Sequence, residues 1–168
     1  MKKRSSSKAK IVPRLLLDLS VLQAAMILSR PSALIRTPYV ADVITHADAF
    51  SQLNMNDVAS PSLSKKKLKD LVDNLRNKFE IIQAHAPSLD CAGMVVAGSK
   101  VFCSPGSSTS KSKLVIQLCE EIREDGTFTT VGYHPYLAEK ISRQLLDLHL
   151  LDSELGFHYD CILSQQVI

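Results

Sequence analysis

The chain has 168 residues, with 45% hydrophobic and 22% charged residues, five Phe, four Tyr and no Trp. That composition excludes a collagen-like or highly charged disordered chain and allows one buried core, or one domain with a fragment of a second. Net charge is +3, but Lys2, Lys3, Arg4, Lys8, Lys10 and Arg14 fall within residues 1–14 with no acid, so the remainder carries about −3 and only local patches can argue for a polyanionic partner.

Residues 1–14 read as a disordered basic tail, and their acid-poor, Ser- and Lys-rich composition also fits an organelle-targeting segment. Asp18 and Gln23 interrupt the apolar run from Leu15 to Leu28, and no stretch reaches the ~18 apolar residues of a membrane span. A short helix leading into a buried strand near Ala25–Leu28 is expected. Pro31 and Pro38 then frame an extended passage, and Tyr39 to Ile44 has the β-branched and aromatic enrichment of a strand. Residues 51–64 are a polar loop. From Lys65 to Phe79 the spacing of Leu68, Leu71, Val72, Leu75 and Phe79 predicts a helix, so that 51–79 form an insertion between strands.

A second strand is expected from Glu80 to Ala84, ended by Pro87. Met94-Val95-Val96 is short and apolar, Gly98-Ser99 marks a turn, and Lys100 to Cys103 is a third strand. Pro105 to Lys111 is a Gly- and Ser-rich loop in which Gly106 is free to take φ > 0. Leu114 to Ile122 alternates, with Leu114, Ile116, Leu118 and Glu120 on one face and Val115, Gln117, Cys119 and Glu121 on the other. Asp125-Gly126 predicts a hairpin turn into a partner strand, Phe128 to Tyr133. His134-Pro135 leads into a helix from Tyr136 to Leu151 with Leu137, Ile141, Leu145 and Leu148 as its apolar stripe. Short strands, turns between them and flanking helices predict a mainly β fold: an antiparallel barrel with an inserted helix and a C-terminal helix.

Four landmarks occur in order. They are Arg30-Pro31-Ser32 through Pro38-Tyr39-Val40-Ala41-Asp42-Val43; Ala84-His85-Ala86-Pro87-Ser88-Leu89; Val96-Ala97-Gly98-Ser99-Lys100-Val101-Phe102-Cys103-Ser104; and Gly132-Tyr133-His134-Pro135-Tyr136-Leu137-Ala138-Glu139-Lys140. Over residues 22–160 this order resembles the N-terminal half of the sugar fermentation stimulation protein A family. That family has an arginine-led strand ending in Ala-Asp-Val, then His-Cys-Pro-Asn-Thr-Gly, a Gly…Val…Ser strand and Val-Gly-Val-Asn…Ala-Asn-Arg opening a helix. The chain departs from the pattern at Ala86-Pro87-Ser88-Leu89-Asp90, at Gly132-Tyr133-His134 and at Ala138-Glu139-Lys140. The resemblance implies an OB-like barrel that binds DNA, followed by a restriction-nuclease-like domain with an Asp and a Glu-x-Lys. No Glu-x-Lys occurs in these residues, so the chain is expected to be a truncated front half without catalysis. The organisation expected is a tail (1–14), an OB-like nucleic-acid-binding barrel (15–134, insertion 51–79) and a helix opening a truncated nuclease-like domain (135–168).

OB-like barrels bind strands by pairing a basic groove with stacking faces. The candidate contacts are Arg30, Arg36, Lys100, Lys111 and Lys113, with Tyr39 and Phe102 as aromatic neighbours; the competing reading makes the lysines solvated loop charges and the aromatics core. Lys65-Lys66-Lys67 with Lys69, Arg76 and Lys78 is either a solvated helix face or a phosphate-contacting one. Cys91, Cys103, Cys119 and Cys161 fit neither a zinc pattern nor a disulfide framework, and His158-x-x-Cys161 is half a zinc motif. No metal and no cofactor is expected. Reduced thiols suit an intracellular compartment, the cytoplasm first, with an organelle or the nucleus as the alternatives that the basic tail raises. The expected partner is DNA, with RNA as the alternative, no membrane, and a homodimer left open. The rival functions are the front half of a metal-dependent nuclease and a docking module in which Glu139, Asp147, Asp152, Glu154 and Asp160 meet a protein partner.

Overall fold

Apolar and β-branched residues at alternate positions form six strands: β1 (Gln23–Ser29), β2 (Val40–Ile44), β3 (Ile82–His85), β4 (Lys100–Pro105), β5 (Leu114–Ile122) and β6 (Phe128–Gly132). The helices are α1 (Lys65–Lys78), α2 (Pro135–Asp147) and α3 (Asp152–Leu155). The computed structural model describes residues 15–19, 21–45, 65–89, 93–123, 125–157 and 159, with the side chains at 65, 67–69, 71 and 72 of α1 outside that description. The basic tail before residue 15, the polar loop 51–64, Cys91 and the His158/Cys161 half-motif therefore lie outside the described residues, as do Leu68, Leu71 and Val72 of the predicted helical stripe. Residues 19–140 form one compact unit, and a second contains the described residues of 1–18 and 141–168.

The strands pair antiparallel in the order β3-β2-β1-β4-β5-β6. One parallel contact, Ala84 beside Leu114 and His85 beside Val115, joins β3 to β5. It closes β1-β2-β3-β5-β4 into a five-stranded, OB-like ring, with β6 paired to β5 outside it. β1 serves two neighbours: Gln23 to Met26 pair with β4, and Met26 to Ser29 pair with β2. The ring closes over a narrow core because the inward positions of β1, β2 and β3 include Ala25, Ala41 and Ala84, facing the larger Val101, Leu114 and Ile116. Tyr133, after β6, completes the core and donates its hydroxyl to the Ser88 carbonyl at 2.7 Å. Cys103 and Cys119 are buried in this core, and burial pushes the Cys103 thiol up to about 12.

A second layer lies outside the ring. Met26, Leu28, Val40 and Ile44 are buried although they are not part of the interior cluster. Leu75 of α1 is also fully buried, and its neighbour Arg76 bonds to Ser29 Oγ at 2.8 Å, which puts the end of α1 over the outer face of β1 and β2. This explains why β2 is buried at every position instead of alternating.

Four expectations change. Residues 15–19 are irregular, not helical: the apolar density there follows no helical period. β5 does not keep one alternation, because the β4 register slips between Phe102–Leu118 and Cys103–Ile116, leaving Gln117 as an extra residue. The bulge turns Cys119 into the core beside Leu114 and Ile116, and Leu118 out of it. Gly106 is not a positive-φ residue; a Cβ there would meet the Ser112 carbonyl oxygen at 2.3 Å, so its role is close backbone approach. The C-terminal helix stops at Asp147 because His149 takes φ 53, with Leu150 N–H donating to the Leu145 carbonyl and His149 N–H to that of Leu146. That is a Schellman stop made without glycine.

The carboxylate of Asp42 is 1% exposed. It accepts from Ser29 Oγ at 2.9 Å, Ser32 Oγ at 2.6 Å and Ala33 N–H at 2.9 Å, and Arg76 Nη2 lies 3.5 Å away. Asp42→Ala strands three donors and a guanidinium, and is expected to destabilise the fold by about 3 kcal/mol in urea denaturation.

Candidate nucleic-acid interface

The β1–β2 loop is built on Asp42. Ser32 passes the constraint on: its Oγ accepts from Leu34 N–H at 3.2 Å and Ile35 N–H at 3.3 Å while its N–H donates to the Val40 carbonyl at 2.8 Å. The loop tip is therefore ordered, yet it turns its side chains to solvent. Leu34 is 74% exposed, Ile35 47% and Tyr39 43%. Arg36 is exposed at the tip in the left-handed region, φ 55, where a non-glycine residue costs about 1–2 kcal/mol. Its N–H donates to the Ser32 carbonyl at 2.9 Å.

Arg30 is a strut. Its Nε donates to the Pro38 carbonyl at 2.9 Å, its Nη2 to the carbonyls of Ser88 and of Leu89, and the guanidinium stands 5.7 Å from the Tyr133 ring centroid. These contacts tie the base of the loop to the segment after β3. Arg36 and Tyr39 share this loop with Arg30 but keep outward side chains.

The other candidates lie along β4 and beyond it. Lys100 faces outward on β4, ion-paired to Glu120 at 2.9 Å and 5.2 Å from the Phe102 ring centroid. Lys111 and Lys113 are exposed in the β4–β5 loop, whose neck is held by Gly106 N–H donating to the Lys113 carbonyl at 2.8 Å. Lys113 Nζ is 3.6 Å from Glu80, both well exposed, a pairing worth little in water. Lys100 is separated from that loop by the length of β4, about 17 Å. The structure thus groups Arg36 with Tyr39, Lys111 with Lys113, and Lys100 with Phe102; it does not gather them into one patch. Of the basic run on α1, Arg76 is engaged with Asp42 and Ser29, whereas Lys66 and Lys78 are exposed.

A further group emerges only in three dimensions. His85, outward at the end of β3, donates Nδ1–H to the Tyr39 carbonyl at 3.1 Å. His134 N–H donates to the Gln117 carbonyl at 3.1 Å, two residues along β5 from Val115, the partner of His85 in the β3–β5 pairing. The His134 ring meets that of Tyr136 edge-on at 6.4 Å between centroids, and Lys140 Nζ lies 4.9 Å from the Tyr136 ring centroid. The sequence separates these residues by up to a hundred positions; the one local signal was His134-Pro135 at a helix start. His134 caps α2: its Nδ1 accepts from Tyr136 N–H at 3.2 Å and its carbonyl from Leu137 N–H at 2.9 Å. An imidazole that accepts at Nδ1 is neutral, with its proton on Nε2.

Among the described residues no cluster of three or more His, Cys, Asp or Glu is arranged to hold a metal ion, and no helix is long and apolar enough to cross a membrane.

Burial first, then repulsion from His85 and Lys140, holds His134 below the ordinary imidazole range. The unfolded chain therefore takes up this proton first. The stability His134 contributes is present above about pH 6.5 and is lost as pH falls below it. Urea midpoints measured from pH 7.5 to 5 are expected to decline, and to decline less in His134→Asn, which keeps a capping side chain that does not titrate.

No protein-family model, curated protein or solved structure matches this chain.

Proposed function

We propose that this chain is a nucleic-acid-binding module that holds DNA mainly through phosphates, with little sequence preference and without hydrolysing it, and that it is a front-half relative of the sugar fermentation stimulation protein A family. The observation that carries this reading is the β1–β2 loop. Its backbone is tied down by a buried carboxylate, while Leu34, Ile35, Arg36 and Tyr39 face water. Holding apolar, aromatic and cationic side chains outward on an ordered loop, one of them in a strained backbone conformation, is the arrangement of a contact surface. In OB-like barrels the loops after the first and fourth strands flank the bound strand. Here those loops carry Arg36 with Tyr39 and Lys111 with Lys113. Because α1 covers the outer face of β1 and β2, the contact reduces to these loops and the β3 side of the ring, which favours phosphate positioning over base reading.

The test is fluorescence anisotropy of a labelled oligonucleotide with the full chain across a salt series. If Lys111 and Lys113 each neutralise one phosphate, the double alanine variant lowers the steepness of log K against log salt by about 1.4 for a single strand. An unchanged slope would place the phosphate contacts elsewhere. The same incubations with Mg²⁺ should leave the oligonucleotide intact; cleavage would replace binding with catalysis.

One observation favours a docking role for the second unit. Ile141, Leu148, Leu150, Leu155 and Phe157 are exposed there, beside Asp147, Asp152 and Glu154. Sedimentation without DNA decides it: a stable dimer supports protein docking, and a monomer at micromolar concentration removes self-association.

A further inference from the structure

We propose that Tyr39, His85, His134, Tyr136 and Lys140 form a stacking platform for unpaired nucleobases, so that the molecule takes single-stranded rather than duplex nucleic acid. The inference rests on the preceding reading and names the substrate class for it. Hydrogen bonds, strand pairing and ring contacts link each member to the next. The Tyr39 carbonyl receives His85 Nδ1–H at 3.1 Å, His85 pairs beside Val115 of β5 while His134 N–H donates to the Gln117 carbonyl of the same strand at 3.1 Å, and the His134 and Tyr136 rings stand 6.4 Å apart. Lys140 lies 4.9 Å from the centre of the last ring. Tyr39 is 43% and Tyr136 52% exposed, and neither side chain fills the barrel core.

Three chemical features make the strip suited to single strands. Flat aromatic faces accept any base, because every base has a π-face, whereas in a duplex those faces are already stacked on one another. The imidazoles add edge contacts with defined roles. His134 spends its Nδ1 lone pair on Tyr136 N–H and keeps Nε2–H as a donor, while His85 spends Nδ1–H on the Tyr39 carbonyl and leaves Nε2 to meet a partner. Lys140 adds a cation beside the last ring of the strip, which suits a phosphate-bearing strand. Lys140 now covers part of one Tyr136 face. It is exposed and long, and a base stacked on a ring outweighs an exposed cation–π contact, so the ammonium can move to a phosphate as the base arrives.

The experiment compares a labelled oligo-dT with a duplex of the same length, using the full chain and its Tyr136→Ala, Tyr136→Phe and Tyr39→Ala variants. The chain has no Trp, so tyrosine emission reports stacking directly. The single strand should bind more tightly than the duplex and quench that emission. Tyr136→Ala and Tyr39→Ala should each weaken single-strand binding about five-fold or more; Tyr136→Ala should leave the duplex unchanged, and Tyr136→Phe should bind as the parent. Unchanged duplex binding also reports that Tyr136→Ala is folded. Equal affinity for both substrates, or equal losses for both in Tyr136→Ala, overturns the platform and leaves phosphate binding standing. Absence of binding to either overturns both.

Discussion

One buried carboxylate organises the β1–β2 loop of this molecule. Asp42 lies on the outer side of β2, where a charge would normally meet water, and α1 covers that side. Burying it is tolerable only because donors converge on it from β1, from the β1–β2 loop and from α1. The donors are thereby located as well as satisfied. Ser32 is held in place and in turn holds the amides of Leu34 and Ile35, so the loop tip inherits its order from the barrel wall. Arg30 does the same at the base of the loop, bridging it to the residues after β3.

The insertion between β2 and β3 changes what the barrel can offer. With the end of α1 over the outer face of β1 and β2, the surface proposed for binding lies on the loop tip, the outward end of β3 and the start of α2. His85 and His134 come from two of these regions, and the parallel β3–β5 pairing that closes the ring also brings those regions together. Tyr133 N–H and His134 N–H both donate to the Gln117 carbonyl of β5, just beyond the residues that pair with β3.

Much of the fold was legible because its signals are local. The Tyr39–Ile44 pattern, the Lys100 strand, the long Leu114 strand and the Asp125-Gly126 turn each announce themselves within a few residues, and together they imply a barrel. The inserted helix was legible from the spacing around Leu75. What escaped depends on neighbours distant in sequence. A bulge at Gln117 reverses the faces of β5, and nothing in an alternating run marks where register slips. His149 ends a helix in a conformation that glycine usually signals. The candidate site divides in the same way. Arg36, Tyr39, Lys111 and Lys113 were visible as basic and aromatic residues in loops. Arg30 looks identical in sequence but is turned inward to three carbonyls, and Lys100 is paired across the sheet by Glu120. Asp42 itself reads only as one polar residue in an apolar strand.

The most direct test of this account is amide hydrogen exchange at Ala33, Leu34 and Ile35, compared between the parent chain and Asp42→Asn. These amides donate to the Asp42 carboxylate and to the Ser32 hydroxyl that it fixes. They should exchange slowly in the parent and much faster in the variant, while the β4–β5 amides stay protected in both. Fast exchange at all three in the parent would show that the loop is not tied to Asp42, and the ordered contact surface built on it would fall.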